Sequence, residues 1–224
     1  MADYDKELGA KVSAHLRALG IETPMNTEAV HFNATDYTRT EQFKYIKQSQ
    51  ERIMSELCLD MKDDSLKDSP NRVAKMYCSE IFDGLDYSKF PKCTTVENKA
   101  EYDEMVAVRK VDVLSMCEHH FVPFIGHAAV AYIPSTKVLG LSKINRIVDF
   151  FSRRPQIQER LTLQVFSALS LILDTQDIAV VIKAEHLCVR LRGVKQQSEA
   201  ITSKMGGRFM SKPALREEFL ALTR

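Results

Sequence analysis

Residues 105–120, MVAVRKVDVLSMCEHH, change the period of the chain and then end on soft ligands. Val106 and Val108 alternate with their neighbours, and Val111 and Val113 resume the alternation after a shift at Arg109-Lys110. Period two with β-branched residues predicts a strand, and the shift predicts a bulge. The strand runs into Cys117-Glu118-His119-His120. His127 to Ile133 repeats the pattern as a second strand, closed by Pro134-Ser135.

Outward from this stretch the period becomes helical. A helix starting near Ser142 carries Ile144, Ile147, Val148 and Phe151, and Pro155 opens another with Ile157, Leu161, Val165, Leu169 and Ile172 inward. A last strand pair occupies Ile178 to about Gly193, and a polar segment with Gly206-Gly207 leads to a short C-terminal helix. The order β-β-α-α-β-β predicts an α+β domain, with two helices on one face of a mostly antiparallel sheet, over residues 96–224. Residues 1–95 read as an N-terminal helical region: Leu8, Val12, Leu16 and Leu19 recur at helical spacing, as do Phe43, Ile46, Ile53, Met54 and Leu57. A third helix begins at Ser69-Pro70, with serine as cap, carries Val73, Met76, Tyr77 and Ile81 on one face, and stops at Gly84.

The 224 residues hold 31 basic and 30 acidic side chains, so no global field argues for a nucleic-acid or membrane partner, and any anion site is built locally. The acidic start and the lack of a long apolar run point to the cytoplasm. Five cysteines at irregular spacing do not make a disulfide framework. Cys58, Cys78 and Cys93 read as free thiols used in packing.

Cys117 and His120 have the spacing that lets one loop supply two metal ligands, and Cys188 of His186-Leu187-Cys188 completes a Cys2His set. That is zinc chemistry with a fourth position left for water. A strand regular through Gly193 places His186, Cys188, Arg190 and Arg192 on one face. His119 and His186 then remain for proton transfer, because imidazole titrates near neutrality. Which histidines bind metal stays open on this ground, and so does a structural zinc with His186 as fourth ligand. The H-x-E with P-C-x-x-C signature is absent, which excludes the zinc deaminases. In Gly140-Leu141-Ser142-Lys143-Ile144-Asn145-Arg146 a helix amino end meets three phosphate donors, Ser142, Lys143 and Arg146. Without a G-x-x-x-x-G-K loop, ordinary ATPase or GTPase chemistry is excluded. Gln158-Glu159 sets an amide beside a carboxylate, and one carboxylate accepts both the N1-H and the 2-amino group of guanine. Arg72 sits in the first turn of its helix, the wrong end for a cation unless an anion binds there.

With these residues in place the chain resembles the GTP cyclohydrolase I family of the bacterial type. The likeness is carried by Leu19-Gly20-Ile21-Glu22-Thr23-Pro24, Asp64-Ser65-Leu66, Pro70 to Tyr77, Glu80 to Gly84, Cys117 to His120, Gly140 to Val148, Arg154 to Leu161 and His186 to Gly193. Arg190 stands where the family carries lysine or an uncharged residue, and the first 18 residues match poorly. The resemblance implies catalytic zinc on Cys117, His120 and Cys188, and proton transfer by His119 and His186. It implies triphosphate binding by Ser142, Lys143, Arg146 and Arg192, with Arg72 from a neighbouring subunit, and guanine held by Gln158 and Glu159. It further implies hydrolytic opening of the guanine imidazole ring of GTP at C8, formate release, Amadori rearrangement and closure to 7,8-dihydroneopterin triphosphate, a first step toward tetrahydrofolate-type pterins. The implied fold is the tunnelling fold (T-fold), assembled as a toroidal homodecamer of two pentamers with shared active sites. Two other readings remain: another T-fold enzyme acting on a purine or pterin, and a non-catalytic zinc-stabilised binding module.

Overall fold

The computed structural model describes residues 3–25 and 39–223. They fall into two compact units, Met1–Thr23 with Gly84–Arg224, and Pro24–Asp83.

In the first unit, helix α1 (Lys6–Ala18) opens with Asp5, whose carboxylate accepts the Leu8 amide at 2.9 Å. Its expected apolar row splits: Val12 and Leu16 are fully buried, whereas Leu19 lies past the helix and is exposed. In the second unit, α2 (Arg39–Glu56) and α3 (Ser69–Met76) pack on each other, followed by a wide π turn at Tyr77–Ile81. The residue at the cap of α3 is Asp68, not Ser69, which lies inside the helix. Of the apolar row expected on α2, Met54 alone is buried; Ile53 and Leu57 are 54% and 66% exposed.

The sheet belongs to the first unit. A short pair, β1 (Thr95–Glu97) with β4 (Lys137–Leu139), stands beside a five-stranded sheet of order β5-β2-β3-β6-β7. Its members are β2 (Val106–Cys117), β3 (Pro123–Tyr132), β5 (Pro155–Gln156), β6 (Ile178–His186) and β7 (Glu199–Met205). All pairings in it are antiparallel except β2 with β5. The expected bulge is present: the β2–β3 register shifts between Val108 and Val111, and Lys110 takes a left-handed φ of 56°. The second strand starts at Pro123, four residues before its alternation becomes legible.

Alternation sorts the central strands into two apolar faces. Ala128, Val130 and Tyr132 of β3 join Val180, Ile182 and Ala184 of β6 on the face covered by α4 (Leu141–Ser152) and α5 (Gln158–Leu173). Ile144, Ile147, Val148 and Phe151 of α4 and Leu161, Val165 and Leu169 of α5 fill this core, which Val12 and Leu16 of α1 extend. Each such side chain contributes roughly 1.5–3 kcal/mol when fully buried. The opposite face, through Ala129, Ala131, Ala179 and Val181, meets Phe209 and Phe219 of the C-terminal helices (Gly207–Ser211 and Pro213–Leu222). The two expected helices thus occupy one face, and a smaller apolar cluster seals part of the other.

Three local expectations change. Pro155 does not open a helix: Pro155 and Gln156 pair with Met116 and Cys117 as a two-residue edge strand, where proline is tolerated, and α5 starts at Gln158. The last strand does not run to Gly193. Beyond Phe124↔His186 it has no ladder partner, and the chain turns into one helical turn, α6 (Leu187–Arg190). The fourth strand of the β-β-α-α-β-β pattern is instead β7, in the segment read as polar.

Candidate functional site

The carboxyl end of β2 delivers Cys117 to a tight loop. The Cys117 amide donates to Val122 O at 2.9 Å, the Phe121 amide donates to Cys117 O at 2.9 Å, and Phe121 takes a φ of 52°. From the other side the Glu118 amide donates to Gln156 O at 3.0 Å, which ties the loop to β5. His119 and His120 are left exposed at its rim.

The other half comes from β6. Phe124 and His186 are direct cross-strand partners, and their rings stack with centroids 4.7 Å apart at 10°. Close approach of β3 and β6 is needed just here, since a Cβ on Gly126 would collide with the Lys183 carbonyl. The α6 turn then carries Cys188 back toward β2. The expected single face of His186, Cys188, Arg190 and Arg192 is therefore broken: Arg190 folds back onto Glu185 at 2.7 Å, while Arg192 Nη1 reaches His120 Nε2 at 2.9 Å.

The ligand atoms of Cys117, His120 and Cys188 lie within 4.8 Å of one another. Two sulfurs and an imidazole nitrogen are a donor set for tetrahedral zinc. Burial, and then the neighbouring Cys117, push the Cys188 thiol above its ordinary range, and a metal ion is what lets adjacent thiols ionise together. His119 Nδ1 lies 3.8 Å from Cys117 Sγ, outside the triad.

Gln158 is 2% exposed and fully committed. Its Nε2 donates to Ile182 O and Ala200 O, both at 3.0 Å, and to Thr202 Oγ1 at 3.2 Å. Carbonyl acceptors fix which end of the amide faces them, so Oε1 must face His186 Nε2, 2.8 Å away, and accept from it. His186 then carries its proton on Nε2, leaving Nδ1 as the free nitrogen. Burial holds the His186 pKa below its usual value, against the opposing pull of Glu159. Glu159 itself is exposed beside this pair.

The remaining expected residues lie elsewhere. Ser142, Lys143 and Arg146 occupy the amino end of α4, whose cap Gly140 offers no side chain to the free amides. Lys143 and Arg146 act electrostatically on Cys93, though burial dominates there and pushes that thiol up to about 12. Arg72, in the second unit, is paired with Asp68 at 3.2 Å, which offsets its position at the helix start. Of the three thiols expected to serve in packing, Cys93 joins the main core and Cys78 is half-buried, but Cys58 is exposed and does not pack.

Sequence reasoning missed Arg160. Its guanidinium forks onto Glu118, Nη1 to Oε2 at 2.5 Å and Nη2 to Oε1 at 3.1 Å, and holds that carboxyl below the usual carboxylate range. The signal was there only as charge complementarity between Glu118 and Arg160, which spacing cannot pair. It also missed Arg154, the largest fully buried side chain among the described residues. Arg154 bonds Glu22 at 3.0 Å, Tyr87 OH at 3.3 Å and the Gly84 carbonyl, and lies 4.9–5.1 Å from the Tyr87, Phe150 and Phe151 rings.

An α+β domain that brings two thiols and an imidazole together, with His119 beside them, is a domain with a group that could hold a metal ion. The comparisons with known proteins narrow this class. The family model described as GTP cyclohydrolase I matches residues 46–224. Proteins named GTP cyclohydrolase 1 are 51% identical over 210 residues in Vibrio parahaemolyticus, covering 93% of this chain and 94% of that one. In Serratia proteamaculans the identity is 50% over 225 residues, covering 100% and 98%. In Aeromonas hydrophila it is 52% over 211 residues, covering 94% of each. The chain belongs to the GTP cyclohydrolase I family.

Proposed function

We propose that this chain is a zinc-dependent GTP cyclohydrolase I. It opens the guanine imidazole ring of GTP at C8, releases formate, rearranges the ribose in Amadori fashion and recloses to 7,8-dihydroneopterin triphosphate. The carrying observation is the convergence of Cys117, His120 and Cys188 beside His119 and His186 in a member of this family. No helix of the described residues is long and apolar enough to cross a membrane, and the five free thiols suit the reducing cytoplasm.

Cys117, His120 and Cys188 hold the zinc, which supplies Lewis acidity that brings the pKa of water toward neutrality. His186, with Nε2–H committed to Gln158, presents Nδ1 to take up or return a proton, and His119 protonates the ring nitrogen as the C8 bond opens. The first turn of α5 holds the base. There the exposed Glu159 accepts the two adjacent guanine donors, with the buried Gln158 as the wall behind it. Ser142, Lys143 and Arg146 bind the triphosphate at the amino end of α4, joined by Arg192 and by Arg72 of a neighbouring subunit. Nothing in this set is arranged to cleave phosphate, and the triphosphate leaves intact.

The domain is a T-fold and assembles as a toroidal decamer of two pentamers. Its edges support this. β7 pairs with β6 alone among the described residues, and β5 covers β2 only at Met116 and Cys117. Two long open edges on one sheet call for partners, and ring closure supplies them. The test is incubation with GTP and detection of formate and a fluorescent oxidised pterin. Cys188→Ala should lose zinc and turnover together, and full activity in that metal-free variant would sink the proposal.

A further inference from the structure

Glu118 lies between metal donors in sequence but offers no atom to the Cys117, His120, Cys188 group. Its side chain turns instead to α5. There Arg160 meets it with both guanidinium nitrogens, in a pair that is largely shielded, with side chains 14% and 23% exposed. A bidentate arginine–carboxylate pair fixes direction as well as distance, which a lysine would not do. The loop needs such an anchor. Apart from its short internal bonds, a single backbone bond, Glu118 N to Gln156 O, ties it to β5, and Phe121 holds a left-handed backbone that a loop retains only when its surroundings dictate it.

We infer that Arg160 is a positioning residue for the metal loop, acting through Glu118. It sits one residue after Glu159 and two after Gln158, so one helical turn carries three separate tasks. Gln158 holds the β6 half of the site through His186, Arg160 holds the β2 half through Glu118, and Glu159 is left facing outward between them. The α5 turn is thus the common reference for both segments that supply metal donors. Loss of the clamp frees the loop to sample other directions for Cys117 and His120, and the metal site loosens without losing a ligand. This inference rests on the metal reading of Cys117, His120 and Cys188.

The experiment is zinc affinity by competition with a chromophoric chelator, on full-length wild type, Arg160→Met, Arg160→Lys and Glu118→Gln. The cobalt(II)-loaded proteins supply ligand-field spectra as a direct report of coordination geometry. Arg160→Met should weaken zinc binding by roughly 10- to 100-fold, the range seen when groups that orient metal ligands are lost. It should also broaden the cobalt bands, and Arg160→Lys should recover only part of the loss. Glu118→Gln removes the charge and half of the fork without disturbing α5, so it decides the matter if Arg160→Met does not fold. Zinc affinities within twofold of wild type together with unchanged cobalt spectra overturn the inference. Wild-type protein that takes up no zinc overturns the metal reading, and this inference with it.

Discussion

Replacing Arg154 with methionine is the sharpest test of what holds the first unit together. The guanidinium is wholly buried, its carboxylate partner Glu22 has a side chain only 9% exposed, and their contact is 3.0 Å. Methionine fills similar volume but leaves Glu22 and the Gly84 carbonyl without their cation. Removing one partner of a buried pair costs ~3–5 kcal/mol, because the other charge stays behind uncompensated. The three ring contacts add about 0.5–2 kcal/mol each at most and are not additive with the pair. At ~1.4 kcal/mol per factor of ten, amide exchange in peptides covering Ile21 and Gly84 should accelerate roughly a hundredfold or more in Arg154→Met. Hydrogen-exchange mass spectrometry at fixed protein concentration reads this directly. Glu22→Gln combined with Arg154→Met should cost clearly less than the two single changes added together, because the double variant strands no charge. Strict additivity, or exchange unchanged in the single variant, would refute the assignment of Arg154 as the link between Glu22 and the Gly84 carbonyl.

Gln158→Met should lower kcat by roughly 10- to 100-fold with little change in the KM for GTP, as expected of a group that orients another. A raised KM with kcat preserved would instead return Gln158 to direct contact with guanine. Arg72→Ala should weaken GTP binding, and mixing it with a zinc-less Cys188→Ala variant should restore part of the activity if subunits share sites; no rescue in dissociated and reassembled mixtures would argue against sharing. The Cys93 thiol, raised from 9.0 to about 12, stays protonated when folded while the unfolded chain ionises above about pH 9. The folded state then binds more protons, so this contribution to stability is full below pH 9 and is lost as pH rises toward 12. Cys93→Val should flatten that alkaline limb in urea titrations, and iodoacetamide at pH 8 should label the exposed Cys58 well before Cys93 in wild type, as read by peptide mass.

The parts of the fold that sequence made legible are those where side-chain period and backbone agree. The bulge after Val108 showed because the valines change parity across it, and α4 showed because Ile144, Ile147, Val148 and Phe151 all face one core. The convergence of Cys117, His120 and Cys188 was legible because soft ligands are scarce and bunch in two segments. What stayed hidden depends on partners far along the chain. β6 ends at His186 because its ladder ends there, and nothing in His186-Leu187-Cys188 itself announces a helical turn. β7 is exposed at most positions and buries only Met205 at its end, so it carries no apolar alternation. Arg154 and Arg160 lie in a stretch that carries the family likeness, but nothing local gives either a role. Their roles come from Glu22 and Glu118, 132 and 42 residues away.

The chain leaves the sheet-bearing unit after Thr23 and re-enters it at Gly84. Arg154 reaches Thr23 Oγ1 at 3.5 Å with one nitrogen and the Gly84 carbonyl with the other, so a single side chain clasps both ends of the excursion. With exit and return clasped, the ends of the intervening loop are already together, and its length enters stability only logarithmically. Residues 24–83 therefore behave as an insertion. A change of length within them, away from Arg72 and the stretches that carry the family likeness, leaves Thr23 and Gly84 where Arg154 holds them.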